Sequence, residues 1–114
     1  MHESVITQNM LTTILDEAKA ANARKVIRIS LTVGELSGVV SECVQFYFDI
    51  LKKDTIASEA AIDFKTVPAR LRCRDCQTEF RPQDELWVCP GCGSRSVEIR
   101  EGRDCSIDSI EIEP

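Results

Sequence analysis

The clearest indication of the fold lies in the second half of the chain, at CRDCQTEFRPQDELWVCPGC (Cys73–Cys92). Two Cys-x-x-Cys pairs, Cys73 with Cys76 and Cys89 with Cys92, are separated by twelve residues. Four thiolates at this spacing can complete a tetrahedral shell around one Zn²⁺ ion. A closed shell leaves no open position for water or substrate. The pattern therefore predicts a structural zinc site and not a catalytic one.

Arginines lie close to the cysteine pairs in the sequence. We expect them to offset part of the negative charge that four thiolates leave around one Zn²⁺ ion; they are Arg70, Arg72, Arg74 and Arg81. Two other interpretations of the four cysteines stay open, a redox-active dithiol pair and two disulfides. The reducing cytoplasm weighs against both of them.

The composition limits the size and the partners of the protein. With 114 residues, the chain is one small domain, or one domain that carries a metal-stabilised appendage. The formal net charge of −5 opposes binding to nucleic-acid phosphates and to anionic lipid surfaces. The first twenty residues do not resemble a signal peptide, and no segment reaches the ~18 apolar residues of a membrane span. We therefore expect a cytoplasmic protein that binds neither nucleic acid nor membrane.

The periodicity of apolar residues predicts two helices and three strands around the cysteine segment. Steps of three and four residues indicate the helices, which cover residues 4–21 and a segment from Ser41 onwards. Alternation indicates the strands, at Lys25–Val33, Ala61–Val67 and Asp104–Glu113, the last with a bulge near Ser109. The Ser41 hydroxyl is expected to cap the second helix.

These elements predict an α/β fold in which two helices pack on a three-stranded sheet, with an inserted zinc-ribbon-like module. Residues 1–69 and 104–114 are expected to form the α/β domain, and residues 70–103 the zinc-binding module. In the first strand, the expected buried face carries Ile27, Ile29, Leu31 and Val33. Cys43 and Cys105 lie in apolar patterns, which favours a role as buried structural thiols.

His2, the only histidine of the chain, lies in the opening stretch MHE (Met1–Glu3). The Met1 α-amine and the His2 amide nitrogen can close a five-membered chelate ring, and that amide with the imidazole Nδ1 closes a six-membered ring. Planar nitrogen ligation suits Ni²⁺ or Cu²⁺. Glu3 can add its backbone nitrogen, or its carboxylate can hydrogen-bond a ligand. An exposed, frayed terminus without metal stays open as the other interpretation.

The sequence offers no catalytic constellation. One histidine at the terminus gives no Ser-His-Asp arrangement, and no Gly-rich phosphate loop is present, so we expect no enzyme. The alternative function is a zinc-ribbon interaction module for proteins or nucleic acid, which would share the two cysteine pairs. Residues 70–103 contain seven basic and six acidic side chains, however, and such a nearly neutral segment binds phosphates poorly.

Three motifs, taken in order, resemble one known family. They are MHE at the start, VGELSGV (Val33–Val39) after the first strand, and the cysteine pairs followed by IEIE (Ile110–Glu113). Together they resemble the HypA/HybF family of hydrogenase maturation nickel metallochaperones over essentially the whole chain. The resemblance implies that Met1, His2 and Glu3 bind Ni(II) as transient cargo, and that Cys73, Cys76, Cys89 and Cys92 bind a structural Zn(II).

The resemblance also implies partners. Nickel would be delivered to the large-subunit precursor of a [NiFe]-hydrogenase together with a HypB-type GTPase. Members of the family cycle between monomer and dimer, so a homodimer is implied as well. Some relatives carry a further histidine in the zinc module that completes the nickel shell, and this chain has none. The fourth nickel ligand, the hydrogenase served and any service to urease therefore stay open.

Overall fold

The computed structural model describes residues 2–83 and 87–114. The described part contains two helices and six strands. In chain order they are α1 (Glu3–Ala20), β1 (Lys25–Gly34), α2 (Ser41–Leu51), β2 (Ala61–Val67), β3 (Arg70–Cys73), β4 (Glu79–Phe80), β5 (Val97–Glu101) and β6 (Cys105–Glu113). Within these residues, neither helix has the length and apolarity needed to cross a membrane.

The strands form two separate three-stranded sheets. In the first, which we call the domain sheet, β1 is central and pairs in parallel with β2 and antiparallel with β6. In the second, the module sheet, β3 is central and pairs antiparallel with β4 and β5. The domain sheet lies in the part predicted as the α/β domain, and the module sheet in the part predicted as the zinc-binding module.

The core lies between the domain sheet and the two helices. Across the sheet, Ile29 is in register with Ile62 and Ile110, and these residues belong to the buried cluster or pack against it. Ile14 of α1 and Phe48 of α2 are fully buried in the same cluster. The structure therefore confirms the predicted fold of two helices packed on a three-stranded sheet with an inserted module.

A β-bulge changes which residues face this core at the start of β1. Val26 pairs with Ile112 and Arg28 with Glu111, so Ile27 is the extra residue of the strand. Val26 is fully buried and Ile27 is 39% exposed. The prediction that Ile27 faces the core is wrong because the bulge shifts the alternation by one residue.

From Ile29 onwards the predicted alternation of β1 is correct, since Ile29, Leu31 and Val33 are all buried. The bulge predicted near Ser109 is confirmed. Ser30 pairs with Ser109 and Leu31 with Ile107, which leaves the intervening residue of β6 without a partner.

Two predictions about single side chains are wrong. Val40, and not Ser41, is the N-cap of α2, and it makes no side-chain cap bond. The Val40 carbonyl accepts the N–H groups of Cys43 and Val44, so Ser41 already lies inside the helix. Cys105, expected to be buried, is exposed, because it begins the edge strand β6.

An open cleft of about 690 Å³ separates α1 from β6, and its lining includes Ile6, Val39 and Cys105. The first turns of α1 therefore lie near the beginning of β6. The zinc-binding module is inserted between β2 and β6 and leaves the domain at this same end. As a result, the beginning of α1 and the module are at one end of the α/β domain.

Candidate metal sites

The module sheet positions the first cysteine pair. Leu71 of β3 is fully buried and is in register with Phe80 of β4 and Ile99 of β5. The strand β3 ends at Cys73, which is also fully buried. The sheet thus fixes the backbone from which the first sulfur projects.

The four cysteine sulfurs converge on one point. All four Sγ atoms lie within 4.8 Å of one another, with 3.5 Å between Cys73 and Cys92 and 3.5 Å between Cys76 and Cys89. A tetrahedral zinc with Zn–S bonds of about 2.3 Å needs sulfurs about 3.8 Å apart. The observed arrangement therefore fits one Zn²⁺ ion with a complete shell of four sulfurs.

Tight turns hold both pairs in place. The Gln77 N–H donates to the carbonyl of Cys73 at 3.0 Å, and the Gly93 N–H donates to the carbonyl of Cys89 at 2.8 Å. The Gly91 N–H donates to the Cys89 sulfur at 3.4 Å, as a knuckle with glycine after proline allows. These bonds orient the sulfurs of both pairs toward one common point.

The pKa values of two exposed cysteines move in opposite directions. A hydrogen bond from the Thr78 hydroxyl, helped by its backbone N–H, lowers the pKa of the Cys76 thiol from 9.0 to about 6. The backbone N–H of Ser94 acts in the same direction on Cys92, but hydrogen bonds with Cys73 and Cys76 outweigh it and raise the pKa of Cys92 to about 12. Four thiolates this close repel one another, and a divalent cation relieves the repulsion.

The arginines near the cysteine pairs have carboxylate partners. The ion pairs are Arg70–Glu79, Arg72–Glu98, Arg74–Glu98 and Arg81–Glu35, with distances between 3.4 and 4.0 Å. Each of these arginines therefore has a carboxylate partner, and a contribution to offsetting the charge of the thiolates stays a prediction. The antiparallel module sheet places arginines of β3 across from glutamates of β4 and β5. The glutamate carboxylates partly neutralise the charge of these arginines. This pairing also weighs against a surface that binds phosphates.

The other candidate site lies at the start of α1. His2 is exposed and is the N-cap of the helix, and its carbonyl accepts the N–H groups of Val5 and Ile6 at 3.0 and 3.2 Å. Glu3 is the first helical residue. Amide nitrogens at a helix start have no acceptor within the helix, so those of His2 and Glu3 can be used without breaking the helix. The predicted ligand Met1 lies outside the described residues.

Two further residues, Thr78 and Glu35, make contacts that the sequence analysis did not predict. Thr78 contacts the Cys76 sulfur, and its place two residues after a Cys-x-x-Cys pair was the available signal. Glu35 bonds to Ala69, which is 34 residues away along the chain. No local pattern could have indicated that contact.

The chain combines a small α/β domain, which exposes a histidine at the start of its first helix, with a cluster of four sulfurs. These features are typical of a metal-binding protein with two distinct candidate sites. The family described as hydrogenase/urease nickel incorporation, metallochaperone, HypA matches residues 1–112. The chain belongs to the HypA family. HypA proteins are metallochaperones of hydrogenase maturation and not enzymes, which confirms both the resemblance and the prediction that the chain is no enzyme.

Individual relatives agree with this assignment. The hydrogenase maturation factor HypA of Dehalococcoides mccartyi is 43% identical over 113 residues, which cover 99% of this chain and 95% of the relative. The HypA of Caldanaerobacter subterraneus is 39% identical over 114 residues, which cover 99% of this chain and all of the relative. The solution structure of the Ni metallochaperone HypA from Helicobacter pylori matches with a TM-score of 0.69 at 25% identity, covering 99% and 98% of the two chains.

Proposed function

We propose that this protein binds one Ni(II) ion through Met1, His2 and Glu3 and delivers it for [NiFe]-hydrogenase maturation. The observation that carries the proposal is the position of His2, exposed at the N-cap of α1 in a chain of the HypA family. The Met1 amine, the His2 amide and imidazole, and a group from Glu3 would supply a planar set of ligands suited to Ni²⁺.

The second ion in the proposal is a structural Zn(II) held by Cys73, Cys76, Cys89 and Cys92. Four sulfurs close the shell of this ion, so it would stay bound. The nickel ligands come instead from three successive residues at a terminus, and chain termini are generally less restrained than a packed module. A cargo ion has to leave, and a site on a terminus releases an ion more readily than a closed cage does.

The proposed partners follow from the same assignment. The nickel would pass to the large-subunit precursor of a [NiFe]-hydrogenase with the help of a HypB-type GTPase, in the cytoplasm. We further propose that residues 1–69 with 104–114 form the nickel-binding α/β domain and residues 70–103 the zinc-binding module. A homodimer remains part of the proposal.

Nickel titration of the untagged, zinc-loaded protein tests the nickel site. Wild type is expected to bind one equivalent with an absorption spectrum typical of planar nitrogen ligation, and His2→Ala is expected to lose that binding. His2 makes no side-chain cap bond in α1, so this substitution leaves the helix intact. One added residue before Met1 should abolish binding, whereas one added residue after Pro114 should have no effect. Stoichiometric nickel binding by His2→Ala would refute the proposal.

The pH dependence tests whether the two sites are separate. Protons compete with nickel for amine and imidazole nitrogens, because a nitrogen has to be deprotonated to bind a metal. Nickel is therefore expected to leave as the pH falls toward about 6, and zinc to leave only at lower pH. Release of both ions in one step would contradict two independent sites.

A further inference from the structure

The motif VGELSGV belongs to neither candidate metal site, yet its loop contacts both segments that join the zinc-binding module to the α/β domain. The loop covers Gly34–Gly38 and begins at the last residue of β1. The Glu35 N–H donates to the carbonyl of Val67 at 2.9 Å, on the segment that leads into the module. The Leu36 N–H donates to the carbonyl of Gly102 at 2.7 Å, on the segment that returns from it. One loop thus holds both connections.

The two connecting segments also touch each other beside this loop. A Cβ atom on Gly102 would lie 2.8 Å from the Cα of Ala69, and one on Gly34 would clash with the carbonyl of Gly102. Ala69 is fully buried. We call this contact of Gly34, Ala69 and Gly102 the neck. Within residues 2–83 and 87–114, no helix or strand of the domain packs extensively on the module, so the orientation of the module depends on the neck.

The side chain of Glu35 extends this connection into the module. Its Oε1 accepts the N–H of Ala69 at 2.6 Å and also lies 3.4 Å from Nη2 of Arg81. Ala69 immediately precedes β3, and Arg81 immediately follows β4. One carboxylate oxygen on the domain therefore holds the connecting segment at Ala69 and the module at Arg81, and two contacts restrict rotation more than one contact does.

We propose that Glu35 is a positioning residue that fixes the orientation of the zinc-binding module relative to the α/β domain. The proposal goes beyond the nickel function, since it requires no nickel. Its consequence is that the module and the beginning of α1, at the same end of the domain, keep one relative geometry. The Glu35 side chain is 45% exposed, and exposed ion pairs contribute little to stability. Removing it should therefore alter orientation far more than resistance to unfolding.

Residual dipolar couplings of the full-length, zinc-loaded protein test the proposal. In wild type, amides of β1 and α2 and amides of β3 and β5 are expected to fit one common alignment tensor. In Glu35→Ala the two groups are expected to need two tensors, while each group still fits its own. Glu35→Gln keeps an oxygen for the Ala69 N–H but loses the charge facing Arg81, so the two groups should again need two tensors, with a smaller difference between them than in Glu35→Ala.

Glu79→Ala is the matched control. Glu79 is 48% exposed and pairs with Arg70 inside the module, so its loss removes an ion pair of similar exposure without touching the neck. This variant should keep the common tensor. A single tensor in Glu35→Ala would overturn the proposal, and so would loss of the common tensor in Glu79→Ala. If Glu35→Ala fails to fold, Arg81→Gln is measured in its place. If both Arg81→Gln and Glu35→Gln then show the couplings of wild type, the role of the Glu35 carboxylate is refuted.

Discussion

The hydroxyl of Thr78 lies 3.1 Å from the sulfur of Cys76, and this contact is the first cause of the low pKa of that thiol, about 6. Thr78→Val removes the hydroxyl and should raise the pKa toward its ordinary value of 9.0. The thiolate form of Cys76 would then be lost as the pH falls through a higher value than about 6. The pH at which half of the zinc is released, measured by a chromogenic chelator, should move upward.

The size of this effect follows from proton competition. At a pH below both the old and the new pKa, each unit by which the pKa rises weakens zinc binding about tenfold. Thr78→Ser keeps the hydroxyl and should behave as wild type. Identical release curves for Thr78→Val and wild type would show that the hydroxyl does not tune the site.

Phe46 and Phe48 of α2 provide a second comparison. Phe48 is fully buried in the core cluster, whereas Phe46 is 61% exposed and contacts Tyr47 edge to face, with ring centroids 5.3 Å apart. Phe48→Ala is expected to lower the free energy of unfolding by about 3–5 kcal/mol through lost burial and a cavity. Phe46→Ala should cost no more than about 1 kcal/mol. Urea denaturation of both variants measures the difference, and similar midpoints would contradict the placement of α2.

The parts of this fold that depend on local pattern could be predicted from the sequence. The strand Ala61–Val67 and the cluster of four cysteines could be predicted because alternation and Cys-x-x-Cys spacing act over a few residues. Ile27 was assigned to the wrong face because a bulge depends on the register with β6, about 85 residues further along the chain.

Contacts between distant segments were beyond prediction for the same reason. The bond between Glu35 and the Ala69 N–H exists only once β1 and β2 lie in register and bring Gly34 beside Val67. The ion pairs of the arginines near the cysteine pairs could not be predicted, because the sequence does not show that Glu98 lies across the sheet from Arg72.

Removal of zinc should affect the two sheets differently. In the described part of the module, the buried apolar side chains from β3 onwards are those of Leu71, Cys73 and Cys89, and two of these residues are proposed ligands. So small a core does not hold without the ion, whose binding supplies about 10–16 kcal/mol in small zinc modules near pH 7. After chelation, the amides of β3 and β5 should exchange hydrogen rapidly, whereas those of β1 stay protected.

The reversal of this effect is the control. Added Zn²⁺ should restore the slow exchange of β3 and β5, and added Mg²⁺ should not, because hard cations prefer oxygen ligands. Slow exchange at Leu71 in the chelated protein would show that the module folds without a metal. Loss of protection at Ile29 would show that the domain depends on the module.

A comparison of alanine variants at Gly102 and Gly38 distinguishes the cost of backbone strain from the cost of close packing at the neck. Both have positive φ, +87° and +78°, a conformation that costs an alanine about 1–2 kcal/mol. A Cβ on Gly38 meets nothing within 4 Å, whereas one on Gly102 lies 2.8 Å from the Cα of Ala69 and 2.9 Å from the carbonyl oxygen of Pro68. Gly38→Ala should therefore show only the backbone effect. Gly102→Ala should lose a further 1–3 kcal/mol or so of unfolding free energy, the usual range for overpacking, because the two connecting segments must move apart.

Urea denaturation of the zinc-loaded variants measures both losses, and amide shifts at Ala69 report the displacement. Equal losses with an unchanged Ala69 signal would mean that the two segments do not touch as described.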